Sequence, residues 1–131
     1  MTDCVRKYAQ EKIARKEIDC AKEYTLSMFS GKYKIVIIYH LCHDGTMRFN
    51  QIQRLLVDVT HKMLAQQLKE LGDDGLVTRT EKLVNNRKAV FYSLTTVGES
   101  LVPIIEQMFA WGQHRLNELG LAQDMKLQCD Y

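Results

Sequence analysis

Between Thr60 and Leu94 the hydrophobic period changes from about 3.6 residues to about 2, with only Asp74-Gly75 separating the two regimes. Met63, Leu64, Gln67, Leu68 and Leu71 fall on one side of a helix for which Thr60 is the N-cap. Lys62, Ala65, Gln66 and Lys69 fall on the opposite side. After Asp74-Gly75, residues 76–83 alternate, with Val77, Arg79, Glu81 and Leu83 against Leu76, Thr78, Thr80 and Lys82. Asn85-Asn86 is a turn signal, and β-type residues resume from Ala89 to Leu94. This pattern predicts a helix leading directly into a β-hairpin with a polar, basic tip.

Upstream, Val5 to Glu17 forms a charged helix with a thin apolar stripe, and Asp19 stands where the N-cap of a second helix belongs. That helix carries Ala21, Tyr24, Leu26 and Met28 and ends near Gly31. Lys32 to Cys42 is β-branched enough to be a strand, but it is long for one and Asp44-Gly45 stops it, so a buried helix is expected. Thr46 to Phe49 is a short strand candidate, followed by a helix through Phe49, Ile52, Leu55 and Leu56. Thr95 caps a last long helix with Val97, Leu101, Ile104, Ile105, Met108, Phe109 and Trp111 on a wide apolar face, kinked by Pro103. No linker or repeat divides the 131 residues, which read as one domain.

Several function classes fall away on composition. A formal net charge of +2 marks no polyanion partner by itself, because a bound helix needs only a local basic stripe. No apolar run approaches the roughly 18 residues of a membrane span. The start of the chain lacks the apolar core of a signal peptide, which implies a cytoplasmic protein with its four cysteines reduced. There is no Gly-rich phosphate loop, nucleophile elbow or framed carboxylate pair, so neither an enzyme nor a bound cofactor is expected.

The order helix, short strand, helix, tight connection, helix, basic hairpin is that of a winged helix-turn-helix. A DNA major groove about 12 Å wide admits one α-helix. The Thr60 to Leu71 helix has the two faces this requires. Lys62 and Lys69 suit guanine or phosphate, Gln66 suits adenine, and Ala65 allows close approach or meets a thymine methyl. Thr60 and His61 stand at the end that points into the groove. The tip supplies Lys82, Asn85, Asn86, Arg87 and Lys88 for the sugar-phosphate backbone or the minor groove, and Arg48 and Gln51 begin the helix that crosses the phosphates.

These segments resemble the HxlR-type winged-helix regulators, relatives of the MarR group. Gly31-Lys32-Tyr33-Lys34 is similar to the family's G-K-W-x segment, and Gly45-Thr46-Met47-Arg48-Phe49-Asn50-Gln51-Ile52 to its G-x-x-R-F-N-E-L. Thr60 to Leu71 resembles its S-x-R-M-L-x-x-Q-L-R-E-L helix. Asp74-Gly75-Leu76-Val77, Tyr92-Ser93-Leu94-Thr95, Gly98, Ser100-Leu101 and Trp111-Gly112 match further positions in order. The resemblance covers residues 20–112, within a core drawn at 19–112 between an N-terminal helical extension (1–18) and a C-terminal tail (113–131). The chain departs from the family where a Pro-Pro pair and a V-E-Y are usual in the wing; Arg87-Lys88 and Val90-Phe91-Tyr92 stand there instead.

The resemblance implies a transcription regulator that binds palindromic double-stranded DNA as a homodimer joined through terminal helices. Ile105, Met108, Phe109, Trp111 and Leu116 are then the interface; the alternative is that the N-terminal helices of the same chain cover this face. It also implies that Cys20 senses an oxidant or electrophile. Lys22 and the helix N-terminus favour its thiolate, Asp19 and Glu23 oppose it, and a thiol that merely packs is the competing reading. Cys4 or Cys129 would be a resolving partner, and Cys42 is expected in the core. Two further alternatives are a metal-responsive regulator using His40, Cys42 and His43, joined by His61 and Cys20, and a protein-interaction module without DNA binding.

Overall fold

The computed structural model describes residues 2–56 and 58–124. Along them run α1 (Thr2–Ala14), α2 (Ala21–Met28), α3 (Lys34–Asp44), β1 (Met47–Arg48), α4 (Phe49–Leu55), α5 (His61–Asp73), β2 (Val77–Val84), β3 (Arg87–Leu94), α6 (Thr96–Ser100) and α7 (Val102–Glu118). A 3-10 turn follows at Ala122–Asp124. The strands form one antiparallel sheet in the order β1-β3-β2. The fold is mainly helical with a small hairpin wing, as the sequence leads one to expect.

α3 is the centre of the core. Ile37, Ile38 and Leu41 are at most 3 % exposed, and Gly45, with φ 79°, ends the helix. The run is helix rather than strand because one long element buried on most of its sides satisfies its apolar residues without an alternating pattern. Cys42 does not join that core; it is exposed, because the last turn of α3 runs out towards solvent at His43 and Asp44.

α5 lays Leu64, Leu68 and Leu71 against α3, each at most 1 % exposed. Met63 was expected beside them and is 40 % exposed instead, at the margin of the stripe. Gln67 is buried, and its Oε1 accepts the Tyr33 N–H at 3.0 Å. Two charge pairs tie the helices together. Lys34, 2 % exposed, reaches Glu70 at 2.6 Å, and Lys12 of α1 reaches Asp74 at 3.0 Å. Burial pushes the Asp74 carboxyl above its ordinary range, and the Lys12 ammonium pulls the other way. α1 is therefore held at the corner where α5 passes into the wing, with Val5 packed on Gly75, whose φ of 77° makes the turn.

Several boundaries differ from expectation. α1 begins and ends three residues earlier, at Thr2–Ala14. The cap of α2 is Cys20 rather than Asp19, since Asp19 uses its N–H to meet the Glu23 carboxylate and the helical dihedrals start at Ala21. α2 stops at Met28. At the far end Thr95 caps only α6, accepting the Gly98 N–H at 3.0 Å. The helix restarts at Val102 with Pro103 in its first turn, because proline has no N–H to continue the α6 ladder.

Candidate nucleic-acid interface

α4 and α5 form the helix-turn-helix. Ile52 and Leu56 anchor α4 in the core, and Gln51 Oε1 accepts the Arg48 N–H at 2.8 Å at its start. Thr60 Oγ1 accepts the Met63 N–H at 3.1 Å, so the expected cap of α5 is present. These two side chains have structural work that competes with any DNA contact. Burial of Leu64, Gln67, Leu68 and Leu71 fixes the rotation of α5, which leaves His61, Lys62, Ala65, Gln66 and Lys69 exposed in a row along its outer side. The His61 ring lies 4.6 Å from that of Phe49. Gln66 Nε2 donates to Glu70 Oε1 at 3.3 Å, and Lys69 pairs with Asp73 at 2.9 Å.

A cleft of about 700 Å³ separates α5 from the wing. His61, Ala65 and Lys69 line it from α5, Arg79 and Lys88 line it from the wing, and Arg48 and Phe49 line it where β1 passes into α4. Arg79 is a residue the sequence reading passed over. Its alternation in phase with Val77 is the sequence signal that places it on this side of the hairpin.

Asn85 and Asn86 both have positive φ, 52° and 63°, as a two-residue hairpin loop requires. The register Val84↔Arg87, Lys82↔Ala89 and Thr80↔Phe91 divides the tip cations between two faces. On one face Arg79 and Lys88 both approach Glu81, at 3.0 and 3.7 Å. These two cations, Arg79 foremost, hold the Glu81 carboxyl below its ordinary range. On the other face Arg48 and Lys82 stand over the Phe91 ring, at 5.4 and 5.5 Å from its centroid. Arg87 shares that face by alternation, so it does not join Lys88 in one cluster.

The remaining expected residues are scattered. Cys20 and Cys4 are exposed, and Cys129 lies outside the described residues. On α7, Met108, Phe109 and Trp111 are 42, 38 and 72 % exposed. Leu116 is half-buried. The described N-terminal helices therefore do not cover this face within one chain. Ile105 is 2 % exposed and belongs to the chain's own core, a correction to its expected place in an interface. It floors an apolar groove of about 260 Å³ formed with Ile35, Val36, Tyr39, Met108 and Phe109. His40 Nδ1 lies 3.2 Å from Asp44 Oδ2, and His43 lies against Tyr39. Among the described residues no three His, Cys, Asp or Glu side chains gather as a metal site would need. No helix among them is long and apolar enough to cross a membrane.

A family model described as HxlR-like helix-turn-helix matches residues 28–119. The chain is 48 % identical over 94 residues to the regulatory protein MalR of Fusobacterium mortiferum, covering 72 % of this chain and 88 % of that one. It is 47 % identical over 90 residues to the HTH-type transcriptional regulator YdzF of Bacillus subtilis, covering 69 and 82 %. Among solved structures, the redox regulator HypR in its reduced form superposes with a TM-score of 0.70 at 39 % identity, covering 77 and 98 % of the two chains. The reduced form of the transcriptional regulator YodB from B. subtilis gives 0.61 at 31 % identity, covering 73 and 93 %.

Proposed function

The chain belongs to the HxlR-like helix-turn-helix family of transcriptional regulators, and from that membership we propose that it binds a palindromic operator as a homodimer, with α5 in the major groove. The observation that carries the reading is the exposed row on α5 opposite its packed one, at the lip of a basic cleft. Lys62 then meets phosphate or guanine, Gln66 reads a base and Ala65 permits the approach, while Lys69 stays paired with Asp73 beside them. Asn86 and the wing cations Lys82 and Arg87 follow the backbone. Thr60 and Gln51 act first as caps, and Thr60 and His61 place the end of α5 that enters the groove.

Selection of bound fragments by the purified protein supplies the operator for the test. Gln66→Ala is expected to weaken operator binding by about 1–3 kcal/mol if Gln66 pairs with a base. Its 3.3 Å bond to Glu70 is solvent-exposed and easily exchanged. Lys62→Ala should weaken operator binding too, together with binding to other duplexes where it meets phosphate and selectively where it meets guanine. Both side chains are outside the core, so thermal unfolding should not change. Unaltered affinity in both variants would remove α5 from the interface.

A second reading concerns control by thiol chemistry at Cys20, of which an oxidant or electrophile would be the effector. It is favoured by exposure of Cys20 at the start of α2; HypR, among the similar structures, is described as a redox regulator. The Cys20 side chain makes no capping bond, and serine is a preferred N-cap residue. Cys20→Ser should therefore fold and bind operator normally in reducing buffer. Diamide should release the wild type and leave Cys20→Ser bound. Equal release of both would assign the signal to another group, and Cys4→Ser and Cys42→Ser, also at exposed thiols, identify which.

A further inference from the structure

The hairpin presents two chemically different faces. The face carrying Arg79, Glu81 and Lys88 has two cations sharing one carboxylate. The face carrying Arg48, Lys82 and Arg87 has three exposed cations, and the residues that alternate with them there, Thr80, Val84, Ala89 and Phe91, include no acid. Arg48 belongs to a different strand from Lys82, yet both head groups are drawn to the same Phe91 ring, which keeps them together. A phosphate approaching the first face must displace Glu81 from its partners. A phosphate approaching the second finds cations over an aromatic ring, with no carboxylate among the described residues of that face to displace.

We infer that the phosphate-tracking surface of the wing is the Arg48–Lys82–Arg87 face over Phe91, and that Glu81 keeps the Arg79–Lys88 face out of backbone contact. This rests on the DNA-binding reading above and makes it specific to one side of a two-stranded ribbon. Its partner is the sugar-phosphate backbone of duplex DNA, and it is indifferent to base sequence, because all three contacts are point charges or a guanidinium without a base edge in view.

Arg87 and Lys88 make the decisive comparison. They are adjacent, exposed and equal in charge, and they differ in the face they occupy. The probe is a 30-base-pair duplex of mixed sequence, with binding followed between roughly 50 and 200 mM salt. Wild-type protein must bind it with a negative salt slope; if it does not, the DNA-binding reading fails and the question of faces lapses with it. Given wild-type binding, Arg87→Ala should flatten the slope by about one unit, the loss of one phosphate contact, with affinity lowered several-fold. Lys82→Ala should act likewise. Lys88→Ala should leave the slope within a few tenths of wild type. Equal effects at Arg87 and Lys88, the reverse order, or no effect at Arg87 and Lys82 would each overturn the assignment. All three positions are exposed near the tip, so the fold is not at stake in any variant.

Discussion

Gly98→Ala is expected to destabilise the protein by about 3 kcal/mol or more, the upper end of what overpacking costs. A Cβ at Gly98 would lie 2.2 Å from the Leu76 carbonyl oxygen and 3.0 Å from a Leu94 methyl. The first contact is with backbone, and that backbone cannot retreat cheaply. Leu76 O accepts the Thr95 N–H at 3.0 Å, and the Thr95 hydroxyl is bonded to Gly75 O at 2.7 Å. One junction thus closes the base of the hairpin and starts α6, and Gly98 is buried in it. A methyl group must either open that junction or move α6 away from the wing. Thermal unfolding should fall by about 10 °C or more in a chain of this size. Gly72→Ala is the control. Nothing lies within 4 Å of a Cβ there, the residue is in α5, and alanine should be neutral or gain up to about 1 kcal/mol. Similar unfolding temperatures for Gly98→Ala and wild type would show that the close approach is absent.

The same junction shows which features local sequence carries. Thr60, Thr95 and Asn85-Asn86 act through bonds and dihedrals within three residues of themselves, and each was readable at its position. The rotation of α5 was readable too, because four buried residues at helical spacing fix it. What was not readable depends on partners far along the chain. Lys34 looks like a polar break in an apolar run, yet it is buried because Glu70 waits for it on another helix. Cys42 belongs to the same run, but an apolar segment without alternation gives no phase, so its exposure at the last turn could not be read. The tip cations are adjacent in sequence, but the two-residue pleat divides them between opposite faces, a division set by the strand register. Ile105 and Met108 share the apolar side of one helix, and periodicity does not say which of them meets the chain's own α3 and which is left over.

That leftover side of α7 sets the second large expectation, for Met108→Asp. Ile104, Met108 and Trp111 recur at spacings of four and three, with exposures of 44, 42 and 72 %, and Phe109 stands beside them at 38 %. Met108 and Phe109 border the groove made with Ile35, Val36 and Tyr39. In an isolated chain Met108 is 42 % exposed, so an aspartate keeps its charge in water and costs its poorer helix propensity plus the partial apolar contact of Met108, about 1–2 kcal/mol. In a two-fold dimer through this face the same change places two carboxylates in an apolar seam, each losing hydration without a partner, at several kcal/mol in all. The two effects separate cleanly. Met108→Asp should keep its helical circular dichroism and sediment as a monomer. Operator affinity should fall by about two to four orders of magnitude, because the second half-site is no longer read intramolecularly. A variant that stays dimeric puts the interface elsewhere. A variant that unfolds as a monomer places Met108 in the chain's own core, as Ile105 is. Wild-type protein that is itself monomeric at micromolar concentration removes the dimer, and with it the expectation of a palindromic operator.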